Sequence, residues 1–206
     1  MDKFDQIKVF LLGKLGKPQL DVLLLNETFL KPNVPDTLFE VPGYSIYRRD
    51  RVNKSGGGVM AYINDSLNVI RTTDLEKQEV EVIWLEVCPF KSKRSLLIGS
   101  IYRPPSYTKA DDLSLEANLE RVYLLNKEKI FLGDVNIDGR NIACKQALLL
   151  GEPRENARAR GRGKESLQRS LINFHFHPRN SGTLQSVKTV TANVPQIRKV
   201  TTACQF

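Results

Sequence analysis

Long apolar runs are missing from this sequence. The longest near the start, Val22–Leu25, falls far short of the ~20 apolar residues that cross a bilayer. The opening Met1-Asp2-Lys3-Phe4-Asp5-Gln6 has neither the basic start nor the apolar stretch of a secretion signal. No membrane partner is expected. The expected location is intracellular, with the nucleus among the compartments allowed. Cysteine is scarce and scattered: Cys88, Cys144 and Cys204 form no Cys-x-x-Cys pair and no ligand cluster with His175 and His177. That argues against a zinc site and a disulfide framework, and leaves free buried thiols in a reducing compartment. Internal repeats are absent as well.

What is present is ordinary globular material. The 206 residues suit one domain, and 41% hydrophobic with 26% charged residues is enough to build a core. The net charge of +8 is unevenly placed. From Gly139 onward there are twelve Arg or Lys and three Glu, so that segment carries +9 and residues 1–138 carry −1. A neutral body with a basic tail points to a polyanion partner such as nucleic acid. A solvated extension with no dedicated partner explains the same asymmetry.

Phe4, Ile7, Leu11 and Leu15 are spaced for a short helix over 4–15, ended by Gly13, Gly16 and Pro18. Asp21–Asn26 reads as a buried strand, because Val22 to Leu25 run without alternation. Tyr44–Arg48 and Val59–Ile63 are the next strands, joined by a charged and then glycine-rich connection, Arg48–Gly58. In Val80–Val87, one face carries Val80, Val82, Trp84 and Glu86 and the other Glu81, Ile83, Leu85 and Val87, with Trp84 expected in the core. Leu96–Tyr102 forms a strand ended by Pro104-Pro105. Asp111–Leu125 is expected to be helical, with Leu115, Leu119, Val122 and Tyr123 inward, and Lys129–Leu132 is a short strand. Beyond Gly139 the patterning decays. Ala143–Leu150 reads as a helix, 153–165 as Arg/Gly-rich and disordered, and 171–206 carries no assigned structure. Mixed strands with a few helices indicate a layered α/β protein.

Two places put acids where sheet proteins build metal sites. Glu27 follows one apolar strand, and Gly133-Asp134-Val135-Asn136 follows another, with Gly133 expected to let a ligand approach. Each acid alone is more often a solvated turn residue. Tyr102 also reads as a plain strand-edge aromatic, and Asn136 as a turn former. Gly56-Gly57-Gly58 leads into a strand and lacks the helix and lysine of a phosphate loop. Arg103 and Tyr107 suit either a DNA contact or simple surface placement. His175 and His177 share one face of an alternating stretch, which fits a half-exposed strand better than a metal pair.

Five ordered blocks sharpen this reading. DVLLLNETFL (Asp21–Leu30), GYSIYRRDR (Gly43–Arg51), GGGVMAYI (Gly56–Ile63), LLIGSIYRPPS (Leu96–Ser106) and IFLGDVNID (Ile130–Asp138) resemble successive blocks of the endonuclease/exonuclease/phosphatase family. They are most similar to the endonuclease domain of non-LTR, LINE-type retrotransposons. The resemblance covers roughly residues 5–138. It implies a four-layer α/β/β/α sandwich, incomplete here: a family-like domain over 1–138 without its first strand, then a divergent, partly disordered basic segment over 139–206. It implies that Glu27 binds the metal (Mg, or Mn) and that Tyr102 lies beside the scissile phosphate. Asp134 would activate or position the attacking water, and Asn136 would hold the phosphate and that aspartate. DNA is the implied partner, and no protein partner is inferred.

Two departures bear on activity. The family's first-strand asparagine has no counterpart, and neither does its final aspartate-histidine pair: the last aspartate is Asp138, and neither histidine follows one. The expectation is a remnant of a metal-dependent DNA endonuclease, truncated or divergent at both ends, with activity far below that of a complete member. A non-catalytic nucleic-acid binder using the basic tail and a phosphatase of the same family are the alternatives.

Overall fold

A computed structural model describes residues 3–13, 20–52, 55–89, 95–136, 170–175, 188–190, 197 and 200–204. In chain order its elements are helix α1 (Lys3–Leu12), strands β1 (Val22–Asn26), β2 (Tyr44–Arg49), β3 (Val59–Asn64), β4 (Leu67–Arg71), β5 (Glu81–Pro89) and β6 (Leu96–Tyr102), helix α2 (Lys109–Tyr123), and strands β7 (Glu128–Asp134), β8 (Ser170–His175), β9 (Lys188–Val190) and β10 (Val200–Cys204). Two short 3-10 turns, Asp36–Phe39 and Thr73–Leu75, lie in the connections.

The described strands form two five-stranded sheets. The first has the order β2-β3-β1-β10-β9 and the second β4-β5-β6-β7-β8. Pairing is antiparallel except for β1–β10, β6–β7 and β7–β8. Strand alternation then sorts the side chains into layers. Val22, Leu24, Ala61 and Ile63 of the first sheet meet Ile83, Leu85, Ile98, Ile130 and Leu132 of the second. On the outer face of the first sheet, Ile7 and Leu11 of α1 cover Leu23, Leu25, Met60 and Tyr62. On the outer face of the second, Leu115, Leu119 and Val122 of α2 cover Trp84, Leu97, Ile101 and Phe131. This is the α/β/β/α sandwich. Its stability rests on three apolar seams, each removing hydrocarbon from water.

Several details depart from the sequence reading. The first helix ends at Leu12, not at residue 15. The second begins at Lys109 because Thr108 caps it: its Oγ1 accepts the Asp111 N–H at 3.3 Å, and Asp111 returns a bond to the Thr108 N–H at 2.8 Å. Tyr123 is 46% exposed, since the last turn of α2 rolls it away from the sheet. β4 had no counterpart in the sequence reading, and strands β8 to β10 occupy a region left without structure. Cys88 carries a half-buried thiol and is in no disulfide. The expected helix at 143–150, the expected disorder at 153–165, Cys144 and His177 lie outside the described residues. Among the described residues no helix is long and apolar enough to cross a membrane.

Lys129 is an unusual core residue, 2% exposed on β7. Its Nζ donates to the carbonyls of Val122 (3.2 Å), Tyr123 (2.7 Å) and Leu125 (2.7 Å) at the end of α2. Those carbonyls carry the negative end of the helix dipole, so the ammonium ties helix to sheet where charge favours it. Burial pushes its pKa down from the ordinary lysine value. Lys129→Met keeps the apolar stem and removes the donors. It is expected to cost about 1–3 kcal/mol, read as a lower urea midpoint; an unchanged midpoint would show that the three contacts are incidental.

Candidate active site

β6 and β7 run parallel, so their C-terminal residues Tyr102 and Asp134 pair side by side. Glu81, the first residue of antiparallel β5, pairs with Tyr102 from the other side. On the far side of Asp134 the register position on β8 is His175. One row across the second sheet therefore reads Glu81, Tyr102, Asp134, His175. Glu27 arrives from the first sheet, just past the end of β1.

One of the hydrogen bonds that join the two sheets links two of these residues. The Tyr102 hydroxyl donates to Glu27 Oε1, across 75 residues of sequence. Burial first, and then that bond to Glu27, hold the Tyr102 phenol well above its ordinary pKa, while the nearby Asp134 charge pushes the same way. Near neutral pH Tyr102 is thus a neutral donor. Asp134 is 2% exposed, and its Oδ1 accepts the Asn136 N–H at 3.0 Å. The Asn136 Nδ2 donates to the Arg103 carbonyl at 3.1 Å, and the Arg103 N–H donates to the Asp134 carbonyl at 2.8 Å. Asn136 therefore braces the turn that carries Asp134.

Glu27, Phe29 and Asn136 are the described non-glycine residues with positive φ, at 56°, 56° and 45°. Two of them are residues the sequence singled out. Such backbone is costly for residues other than Gly or Asn and persists where surrounding bonds over-determine it. Here the Phe29 N–H donates to the Gly57 carbonyl at 2.8 Å and the Thr28 N–H to the Gly58 carbonyl at 3.3 Å. Gly56, Gly57 and Gly58 also have positive φ, and they lead directly into β3.

Gly133 does not serve ligand approach. A Cβ there would sit 1.8 Å from the Ile101 carbonyl oxygen, so the glycine is demanded by the neighbouring strand. Arg103 and Tyr107 are also held within the protein. The guanidinium grips Asp112 at 2.7 and 2.8 Å and lies 5.9 Å from the Tyr107 ring centre. The Tyr107 hydroxyl accepts the Glu81 N–H and donates to the Glu79 carbonyl, both at 3.2 Å.

A family model decides what kind of protein this is. It describes the endonuclease/exonuclease/phosphatase family and matches residues 9–191. The chain belongs to this family. No curated protein sequence matches it. Solved structures of similar shape include the human Nocturnin catalytic domain with bound sulfate, at 16% identity and a TM-score of 0.42, over 63% of this chain and 55% of that one. Another is a D. rerio TDP2 humanized by 14 mutations, at 18% identity and 0.45, over 72% and 64%. A third is ANGEL2, a 2',3'-cyclic phosphatase, at 13% identity and 0.46, over 76% and 52%. The chain spans less than two thirds of each.

Among the described residues no three His, Cys, Asp or Glu converge in a group that could hold a metal ion. The available donors are hard oxygens: the Glu27 carboxylate, bonded to Tyr102, and the Asp134 carboxylate, whose residue pairs with Tyr102 on the next strand. Magnesium takes one or two carboxylates and keeps several waters, so this donor set fits it. The Arg51–Glu81 ion pair at the same end of the sandwich was not anticipated. An acid on the otherwise apolar Glu81-Ile83-Leu85-Val87 face was the available signal, since a buried carboxylate needs a cation.

Proposed function

We propose that this end of the sandwich is a metal-assisted phosphodiesterase site of the retrotransposon-endonuclease kind, acting on DNA at a low rate. The hydrogen bond from Tyr102 to Glu27, with Asp134 in register beside Tyr102, carries the reading. It gathers one residue from each of three separate sequence blocks at a single point.

Glu27 would hold Mg²⁺ or Mn²⁺, and the bound ion would offset phosphate charge and stabilise the leaving oxygen. The chain's own residues do the rest. Asp134, buried and held by the Asn136 N–H, orients a water and takes its proton. Tyr102 donates its one O–H to Glu27 and so fixes the carboxylate that would hold the ion beside the phosphate. Asn136 holds the turn that carries Asp134 through its bond to the Arg103 carbonyl. Proton delivery to the leaving oxygen is the weak step, because the family's aspartate-histidine pair has no sequence counterpart. The basic residues at 154–164 lie outside the described structure and would add phosphate contacts without base preference.

Supercoiled plasmid, Mg²⁺ and the purified chain test the reading. Slow, chelator-sensitive nicking is the expected outcome. No nicking, together with DNA affinity that falls steeply with salt, would replace the enzyme with a non-catalytic binder. Hydrolysis of small phosphomonoesters with DNA left intact would favour a phosphatase.

A further inference from the structure

Arg48, Arg49 and Arg51 follow one another closely in sequence, Arg71 ends β4, and each is engaged by an acid of the protein. Arg51 differs from the others in where its pair sits. Its Nε donates to Glu81 Oε1 at 2.6 Å and its Nη2 to the same oxygen. Its Nη1 reaches the Ser55 carbonyl at 3.2 Å. The guanidinium carbon lies 5.7 Å from the centre of the Tyr102 ring. Glu81 uses its other oxygen, Oε2, to accept the Gly58 N–H at 2.8 Å. The two side chains are 12% and 14% exposed, so solvent screens the pair little.

These contacts form a closed circuit. Gly57 and Gly58 accept the N–H groups of Phe29 and Thr28, the residues that hold Glu27 in its positive-φ turn. Gly57 itself packs so tightly on the pair that a Cβ would lie 2.5 Å from Arg51 Cζ and from Glu81 Oε2. Glu81 is also the strand partner of Tyr102. The Arg51–Glu81 pair thus touches the Glu27 turn through Gly57–Gly58 and touches Tyr102 directly. It spans the two sheets at the point where the site does.

We propose that Arg51 and Glu81 are positioning residues: their ion pair clamps the two sheets together at the site and holds the Glu27 carboxylate against the Tyr102 hydroxyl, in the place from which it would bind the metal. This rests on reading Glu27 as the metal ligand. Neither residue is assigned a contact with the metal or the substrate; both would act through Glu27 and Tyr102. Partners that orient a ligand carboxylate commonly govern metal affinity by 10- to 100-fold.

The test is Mn²⁺ affinity, by calorimetry and by the spin-resonance signal of free Mn²⁺, on the full chain well below its melting temperature. Variants are Glu27→Gln, Arg51→Met, Arg51→Lys, Glu81→Gln and the Arg51→Met/Glu81→Gln pair. Glu27→Gln should remove binding. Arg51→Met and Glu81→Gln should each weaken it about tenfold, and the double variant no further, because either change opens the same circuit. Arg51→Lys keeps the charge and should recover part of the loss. It also serves if Arg51→Met does not fold. Unchanged Mn²⁺ affinity in Arg51→Met, Arg51→Lys and Glu81→Gln, with binding lost in Glu27→Gln, overturns the clamp and leaves the site reading intact. Unchanged affinity in Glu27→Gln overturns both. Additive losses in the double variant would show two independent contacts and also overturn the clamp.

Discussion

Gly133→Ala is expected to destabilise the chain by about 3 kcal/mol or more, the upper end of what overpacking usually costs. In a chain this long that corresponds to a melting temperature lower by roughly 6–12 °C. The obstacle is backbone. A Cβ at 133 would meet the Ile101 carbonyl oxygen at 1.8 Å, its carbonyl carbon at 2.7 Å and its nitrogen at 2.9 Å. No rotamer change relieves that contact, so β6 and β7 must separate at the Ile101–Gly133 pair. The next pair along is Tyr102–Asp134, and the bond from the Arg103 N–H to the Asp134 carbonyl lies just beyond. Loss of stability should therefore come with loss of any metal-dependent activity. Thermal unfolding followed by circular dichroism is the measurement. An unchanged melting temperature would mean that the two strands are farther apart at this pair than described.

The same glycine shows where sequence reasoning stops. Its place before Asp134 was legible, but its purpose was misread, because the clash that demands it comes from Ile101, on the neighbouring strand and far back in the sequence. Elements with their own pattern were readable. β1 is a continuous apolar run, β5 alternates, and α2 repeats Leu115, Leu119 and Val122 toward one side. β4 was not, since it is a short edge strand with Ile70 turned to solvent. β8 to β10 take their identity from partners. β10 pairs with β1 in register Val22–Val200 to Asn26–Cys204, a contact between opposite ends of the chain. Strand preference is largely a matter of such neighbours, so no local window reveals it.

The site divides in the same way. Glu27, Tyr102, Asp134 and Asn136 were named through family resemblance, and the folded chain gives each a specific partner. That Tyr102 bonds Glu27 could not be read from spacing. Arg51 and Glu81 were read as parts of a charged connection and a strand, and their pairing appears only when the two sheets face each other. The lesson is physical. A buried acid on an apolar strand face announces a missing cation, and the short arginine-rich stretch ahead of the glycines was the nearest supply.

Asp134→Ala is expected to lower the nicking rate by about 10²–10⁴-fold, the usual contribution of positioned proton transfer. DNA affinity should change little, since the lost carboxylate is an anion beside an anionic substrate. The parent rate is itself expected to be low, because the aspartate-histidine pair that delivers the second proton is missing from the sequence. A large relative loss on a small absolute rate is therefore the signature: single-turnover nicking falls, while binding measured by fluorescence anisotropy holds. The β7–β8 register adds a control, because it puts His175 at the position beside Asp134. Should the parent nick briskly and His175→Ala lose as much as Asp134→Ala, His175 would be the source of the missing proton, and the expectation of a slow enzyme would fail. Should His175→Ala match the parent while Asp134→Ala is silent, Asp134 works without His175.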